Sequence, residues 1–179
     1  MIRKSQEIEE RAVETVAELM CAAARTAPKG KGADNLMTLI VKGATKQRLV
    51  EEMRKIGQEP GAAFFTRDAA GVEKVDIVVL LGQKVKAMSI PNCGYCGSAN
   101  CEEAEKNKIQ CALSIGDLGI AVGSAVAVAA DARIDNRIML SVGRAALNLE
   151  LFDDKDIKIA YGIPLSVTGK NIFWDRDKV

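Results

Sequence analysis

Four cysteines in one short segment are the residues of this chain best suited to chemistry. They follow the spacing Cys93-x2-Cys96-x4-Cys101-x9-Cys111, and a glycine follows each of the first two. Two cysteines separated by two residues can direct their sulfurs at one metal ion, and glycine lets such a turn adopt positive φ and direct its N–H groups toward sulfur. Four thiolates complete a tetrahedral or a cubane site. The segment therefore predicts a metal centre.

The identity of the metal is less tightly specified by this spacing. Zinc sites with four thiolates usually pair two CxxC knuckles, whereas Cys101 and Cys111 do not form a second knuckle. Uneven spacing after one CxxC is commoner in iron–sulfur loops. A thioredoxin-like redox pair would leave Cys101 and Cys111 without a role, and ordinary core cysteines do not suit a polar, glycine-containing loop. We predict a [4Fe–4S] cluster, with zinc as the main alternative.

The absence of histidine restricts the chemistry further. The chain contains no His, which removes the usual nitrogen ligand and the usual general base. Any metal site is therefore expected to use thiolates and carboxylates, and no acid–base residue is nominated. The fifth cysteine, Cys21, lies in a predicted helix beside Met20 and Ala24, where we expect it to act as a small core hydrophobe.

Bulk composition favours one compact domain over residues 1–179, with the cysteine-rich loop at 91–111 inside it. The chain has 48% hydrophobic residues, and 25 Lys plus Arg balance 24 Asp plus Glu. Such a balance provides no global field for nucleic acid. The N-terminus is charged, and the longest uncharged apolar stretch, 118–130, is 13 residues, against roughly 20 for a membrane span. We expect no membrane association and a cytoplasmic location, where disulfides are rare.

Hydrophobic periodicity divides the chain into helices and a few short strands. Apolar residues at intervals of three and four predict helices, and short apolar runs predict strands. The predicted helices are 8–24, Thr45 to about 57, 60–70, 117–130 and one opened by Asp135, with Thr45 and Asp135 as N-caps. The predicted strands are 36–41, 75–81 and 157–164. This order predicts an α+β fold in which helices cover a small sheet, with 75–81 at its centre because that run is apolar on both faces.

Two further segments carry recognisable patterns. The helix 117–130 is rich in Gly, Ala and Ser, which permits tight packing in a core, a dimer interface or the close approach of a flat cofactor. The loop 25–32 holds three cations, and its end, 29–32, is read as flexible. It suits either a phosphate or plain solvation. It matches neither the nucleotide P-loop nor the Rossmann turn.

Three stretches resemble nitroreductase-like flavoproteins. Residues 23–41, AARTAPKGKGADNLMTLIV, resemble the first helix, flavin loop and first strand of those proteins, in which an Ala-Pro-Ser-x-x-Asn loop precedes an apolar strand. Residues 117–130 resemble their central helix, and 162–164 resemble their closing Gly-x-Pro. The cysteine loop, together with DLGIA, GSA and DARIDNRIM, is similar to a group of prokaryotic proteins described as containing a ferredoxin domain.

The resemblance implies a nitroreductase-like scaffold with a small antiparallel or mixed sheet, FMN as a cofactor, and a homodimer with flavin at the subunit interface. Lys29 stands where that family has Ser, and Gly32 is nearest its flavin-contacting Asn. The flavin phosphate is therefore expected at Arg25, Lys29, Lys31 and Lys170. The small-residue helix is expected at the dimer interface.

Taken together, these features predict an iron–sulfur redox protein. We expect electron transfer or oxidoreductase activity in which the cluster exchanges electrons with FMN or with a partner protein. The alternative is a zinc-stabilised structural or binding module without catalytic activity.

Overall fold

A computed structural model describes residues 2–174 of the chain. The described helices are α1 (Ser5–Thr26), α2 (Gly43–Ile56), α3 (Ala63–Glu73), α4 (Cys101–Lys106), α5 (Ala112–Asp131) and α6 (Leu140–Asn148). A 3₁₀ turn spans Gly30–Gly32. The described strands are β1 (Leu36–Val41), β2 (Ile77–Lys84), β3 (Asp135–Asn136) and β4 (Ile157–Ser166). The mixture of helices with a few strands confirms the predicted α+β class.

The four described strands form one antiparallel sheet in the order β1-β2-β4-β3. β2 lies inside the sheet, pairing with β1 on one side and β4 on the other, so that Val79 faces Ile40 and Ile163. A strand paired on both sides has its backbone groups satisfied by its neighbours. The prediction of a central strand at 75–81 is thus confirmed, although the strand begins two residues later and continues through Lys84.

Helices cover both faces of this sheet. Side chains alternate along β2, so Val79 and Leu81 pack with α1 and α5 while Val78 and Leu80 pack with α2, α3 and α6. Each of these four side chains is fully buried, and burying one contributes about 1.5–3 kcal/mol. The covering of both faces explains why β2 is a continuous apolar run rather than an alternating one.

Two predicted helix caps are wrong. Thr45 lies inside α2, because Gly43 adopts φ +55° at the end of β1 and starts the helix immediately. Asp135 belongs to β3, where it pairs with Ser166, and α6 begins only at Leu140. α5 begins at Ala112, five residues before the predicted start at 117.

Helix α5 is, within the described residues, long and apolar enough to meet the criteria for a membrane span. A helix in a protein core meets the same criteria. Its buried residues, among them Leu118, Ala121 and Ala125, pack against α1 and the sheet. Packing in the core accounts for the apolar residues on this face of α5, whereas Gly119, Ile120 and Gly123 lie on an exposed face.

Candidate metal centre and the adjoining basic turn

The cysteine segment is an irregular connection between β2 and α5. Its backbone turns through left-handed conformations at Asn92, Gly94 and Gly97, with φ of +56°, +63° and +85°. The short helix α4 is held by a reciprocal capping arrangement, in which Asn100 Oδ1 accepts the Glu103 N–H at 2.9 Å and Glu103 Oε2 accepts the Ala99 N–H at 2.7 Å. Glycine was expected here for its positive φ, and the structure confirms that expectation.

All four cysteines of the motif line one cavity of about 630 Å³. Each is half-buried, so the cavity is accessible from solvent while its thiols are partly shielded. Cys111 is also the N-cap of the 20-residue helix α5, where the aligned peptide dipoles favour negative charge. The four residues that the spacing predicted as one set therefore line the same cavity.

The thiols are not arranged as a completed site. Among the described residues, no three Cys, Asp, Glu or His side chains are close enough to hold a metal ion. The donor set nevertheless fits a thiolate-bound centre, because four sulfurs share one cavity wall and soft thiolates suit iron–sulfur clusters and zinc. Binding a metal would have to bring the four sulfurs closer together. The ligand role of these cysteines stays a prediction.

The charged residues around the cavity favour an anionic occupant. Lys86, Lys108 and Lys158 line it, whereas Glu105 is the only carboxylate among the described lining residues. Three ammonium groups around one cavity offset part of the negative charge that four thiolates carry. Tyr95, between the first two cysteines, is 76% exposed and leaves the cavity mouth with an aromatic rim.

The basic segment after α1 is an ordered turn, which differs from the flexible loop we predicted for 29–32. Lys29 Nζ donates to the carbonyl oxygens of Ala24, Arg25 and Ala27 at 3.1, 2.7 and 2.9 Å. These carbonyls lie at the end of α1, where a cation is favourable. An ammonium group has three N–H donors, so these contacts leave none of them for a phosphate.

Arg25 is held in the same region but keeps donors available. Its Nη1 donates to Asp34 Oδ2 at 2.6 Å and to the Leu36 carbonyl at 2.7 Å. A guanidinium has five N–H donors, and the Arg25 side chain is 45% exposed. Arg25 can therefore tie α1 to the start of β1 and still contact an anion.

The other two predicted phosphate contacts lie in different places. Lys31 is exposed within the 3₁₀ turn, at φ +55°. Lys170 lies beyond the end of β4, and that end pairs with the start of β2. The Arg25 contact, Leu36, faces Gln83 near the opposite end of β2. Lys29 thus contacts the end of α1 at Arg25 and Lys31 follows two residues later, whereas Lys170 follows the strand end at the other end of the sheet.

One contact links the basic turn to the cysteine cavity. Asp117 of α5 accepts the Gly30 N–H with both carboxylate oxygens at 3.0 Å. A Cβ built on Gly30 would lie 3.5 Å from Asp117 Oδ2 and from the Met88 sulfur, and Met88 also lines the cysteine cavity. Met88, a lining residue of the cavity, thus lies near the contact between Gly30 and Asp117. Sequence reasoning missed that contact, because Gly30 and Asp117 are 87 positions apart.

Cys21 lies apart from the cysteine cavity, in α1. It is half-buried and packs against the core formed by α1, α5 and the sheet. Burial raises the pKa of its thiol, an effect only partly opposed by the Thr38 hydrogen bond and the charge of Arg25. A protonated thiol in a packed helix matches the predicted role as a small hydrophobe.

The fold defines the class of protein. The chain resembles the solved structure of the nitroreductase CinD from Lactococcus lactis in complex with chloramphenicol, with a TM-score of 0.62 and 16% identity over 88% of this chain and 79% of that chain. It also resembles a BluB-like flavoprotein from Clostridium difficile 630, with a TM-score of 0.60 and 19% identity over 93% of this chain and 83% of that chain. A third similar structure is a nitroreductase with bound FMN from Desulfitobacterium hafniense DCB-2, with a TM-score of 0.59 and 12% identity over 95% of this chain and 81% of that chain. At these identities the likeness concerns the fold alone. The protein has the nitroreductase-like fold, as the resemblance implied.

The family is given by two further matches. Residues 108–176 match the family described as "Uncharacterized protein containing a ferredoxin domain". An Archaeoglobus fulgidus protein described as "Uncharacterized protein" is 35% identical over 184 residues, which cover 98% of each chain. The chain belongs to this family of ferredoxin-domain proteins.

Proposed function

We propose that the protein is an iron–sulfur redox protein in which a [4Fe–4S] cluster exchanges electrons with FMN or with an external partner protein. One observation carries the proposal: the four cysteines line a single cavity, and Met88, which lines it too, lies near the turn at Gly30. The family's ferredoxin description and the nitroreductase-like fold both support a redox role. No substrate is assigned.

The residues of this chain would act as ligands and as positioning groups. Cys93, Cys96, Cys101 and Cys111 would hold the cluster, and the cavity lysines would offset its charge. A bound cluster supplies one-electron transfer, and a bound flavin supplies one- or two-electron transfer. The cysteines are therefore proposed as ligands and not as nucleophiles.

For the flavin phosphate, the contacts of the basic turn favour two of the four predicted cations. Arg25 retains N–H donors beyond those given to Asp34 and Leu36, and Lys31 is exposed beside it in the chain. Lys29 gives its N–H bonds to helix carbonyls. Lys170, at the other end of the sheet, would contribute to the same site only from a second copy of the chain.

A homodimer is part of the proposal, with α5 at its interface. Gly116, Gly119, Ile120, Gly123 and Ala127 form an exposed, uncharged stripe along this helix. A Cβ built on any of the three glycines meets no atom within 4 Å in this chain. Small residues permit a second copy to approach closely, and burial of such a stripe is favourable.

The deciding experiment is anaerobic purification followed by visible spectroscopy and analysis of iron, acid-labile sulfide and zinc. We expect brown protein with a broad visible shoulder and about four iron and four sulfide per chain. Flavin peaks in the same spectrum would support FMN. Colourless protein with stoichiometric zinc would overturn the redox proposal in favour of a structural zinc module.

Serine variants test the ligand set against a matched control. Each of Cys93→Ser, Cys96→Ser, Cys101→Ser and Cys111→Ser is expected to lose most of the iron and the visible absorption. Cys21→Ser changes the same atom in a cysteine outside the cavity and is expected to keep both. Loss of iron in Cys21→Ser to the same extent as in the four would contradict the assignment.

A further inference from the structure

Asp117 is a buried carboxylate on the face of α5 that meets the basic turn. The residue is 6% exposed, and within the described residues both of its oxygens accept from the Gly30 N–H. Burying a carboxylate is costly, and a single backbone N–H offsets only part of that cost. An apolar or small residue would pack there more cheaply, so the carboxylate is best explained by what it does to the turn.

The Asp117 contact determines the geometry of the turn at its first residue. Gly30 opens the 3₁₀ turn, and Gly32 N–H and Ala33 N–H close it by donating to the Lys29 and Gly30 carbonyls at 2.9 and 3.1 Å. Between them Lys31 is held at φ +55°, a conformation that side chains rarely adopt. The Asp117 carboxylate adds to these local bonds an anchor from outside the turn, on the N–H of the residue that opens it.

We infer that Asp117 is a positioning residue: by holding the Gly30 N–H, it fixes the turn that presents Lys31 to the anionic group of the cofactor. This inference rests on the proposed binding of FMN phosphate near Arg25 and Lys31. It also ties that site to the helix whose N-cap is Cys111. Asp117 itself makes no contact with the cofactor in this role.

Electrostatics and positioning make opposite predictions for Asp117, which makes the inference testable. A carboxylate near a phosphate repels it, so neutralising Asp117 would tighten FMN binding if charge were its only effect. If Asp117 orders the turn, its removal adds a conformational cost to binding and weakens it. Riboflavin lacks the phosphate, so its affinity should not depend on the turn.

The experiment compares Asp117→Asn and Asp117→Ala with Asp131→Asn in otherwise complete, anaerobically purified protein. Asp131 ends the same helix and is exposed, so its variant removes the same charge away from the turn. FMN and riboflavin are titrated by quenching of flavin fluorescence. Hydrogen exchange of the Gly30 amide is followed by NMR, and thermal unfolding verifies that each variant is folded.

For Asp117→Ala we expect FMN affinity to fall about tenfold, the cost of ordering roughly one residue. We also expect faster exchange of the Gly30 amide, unchanged riboflavin affinity, and a smaller loss in Asp117→Asn, which keeps one acceptor. Asp131→Asn should match the wild type in FMN affinity, in riboflavin affinity and in the exchange rate of the Gly30 amide.

Five results would overturn the inference. Tighter FMN binding in Asp117→Asn would mean that charge dominates, and equal losses of FMN and riboflavin would mean a general structural role. An unchanged Gly30 exchange rate would remove the anchor itself. If the wild type binds neither flavin, the proposed flavin site fails and the inference fails with it, whereas normal wild-type binding with unaffected variants overturns the inference alone.

Discussion

Gly143 of α6 lies directly against Ala160 of β4. A Cβ built on Gly143 would stand 1.9 Å from the Ala160 carbonyl oxygen and 2.3 Å from its carbon. Because that neighbour is backbone in the sheet, it cannot rotate away. Gly143→Ala is therefore expected to lower the free energy of unfolding by about 1–3 kcal/mol, despite the higher helix propensity of alanine. Urea denaturation measures the change.

Gly71→Ala in α3 is the matched control for this prediction. Gly71 is also a buried helical glycine on the same side of the sheet, but its Cβ would meet the nearest atom, Phe173 Cδ1, at an ordinary 3.6 Å. We expect this variant to be neutral or more stable by up to about 1 kcal/mol. Equal effects of the two substitutions would contradict the close approach of α6 to β4.

The strands were predictable because burial on both faces leaves a strong local signal. β1 was predicted with its observed bounds, and β2 was located with its start in error by two residues. The cap at Thr45 was wrong for a local reason, since α2 already starts at Gly43, whereas the cap at Asp135 was wrong for a nonlocal one. Asp135 has the side chain of a good N-cap, but its pairing with Ser166 across the sheet decides its conformation.

The candidate site, too, was predictable from the sequence only in its local features. The shared cavity of the four cysteines was predictable from spacing, because they lie within one connection of the chain. The ordered basic turn was not, since it depends on Lys29 capping a helix end and on Asp117 reaching Gly30 from a distant segment. Charge content alone left both a phosphate loop and a solvated loop open, whereas the contacts show that Lys29 has a structural role.

Metal removal should loosen one segment of the protein selectively. Residues 91–111 lie in an irregular connection with a short helix, whereas β2 is buried in the sheet at every residue before Lys84. Chelation of the metal is therefore expected to speed amide hydrogen exchange in 91–111, measured by mass spectrometry, with β2 nearly unchanged. Equal acceleration in both segments would indicate global unfolding, and no change in either would argue against a metal in the loop.

The five cysteines should differ in their reaction with iodoacetamide. Burial raises the pKa of the Cys21 thiol, and the thiolate is the reactive form. In metal-free, reduced protein we expect Cys21 to be alkylated more slowly than Cys93, Cys96, Cys101 and Cys111. In metal-loaded protein those four should be protected while Cys21 keeps its rate, as followed by mass spectrometry of digests. Protection of Cys21 by the metal would contradict its place outside the site.

The ion pair of Lys84 and Asp154, with Nζ and Oδ2 2.5 Å apart, predicts a pH dependence. The Lys84 hydrogen bond holds the pKa of Asp154 below its ordinary value of 3.8, and the same bond raises the pKa of Lys84 above 10.5. A lowered carboxyl pKa stabilises the fold above the unfolded value, and this contribution is lost as pH falls toward the folded pKa. The raised lysine pKa stabilises below its unfolded value, and this contribution is lost as pH rises through the folded pKa.

Lys84→Met tests this ion pair. The stability difference between wild type and Lys84→Met should be constant near neutral pH and shrink as the solution is acidified below about pH 4, measured by urea denaturation. Lys74→Met removes an exposed lysine for which the described residues show no ion pair. The stability difference between wild type and Lys74→Met should not shrink with acidification in the same way. If both variants gave the same pH dependence, the Lys84–Asp154 ion pair would be excluded as its cause.

The uncharged stripe on α5 predicts the site of self-association. Ala127 lies in the stripe and Ala70 lies on α3, on the opposite side of the sheet, and both are exposed alanines within helices. Ala127→Lys adds a desolvated charge to the interface if two copies meet there, whereas Ala70→Lys adds the same charge to a free surface. Light scattering after gel filtration should give the wild type and Ala70→Lys twice the chain mass of 19.2 kDa.

Under the same conditions Ala127→Lys should elute as a monomer. If flavin binds between two copies, Ala127→Lys should also lower the FMN affinity, because a monomer offers only the contacts of one chain. A monomeric wild type, or a dimer that survives Ala127→Lys unchanged, would place any interface away from this stripe. Lys170→Ala then tests whether Lys170 reaches the flavin phosphate from the second copy of the chain. Within one chain the sheet separates Lys170 from Arg25. If the second copy supplies the contact, Lys170→Ala should weaken FMN binding in the dimer and leave that of the Ala127→Lys monomer unchanged.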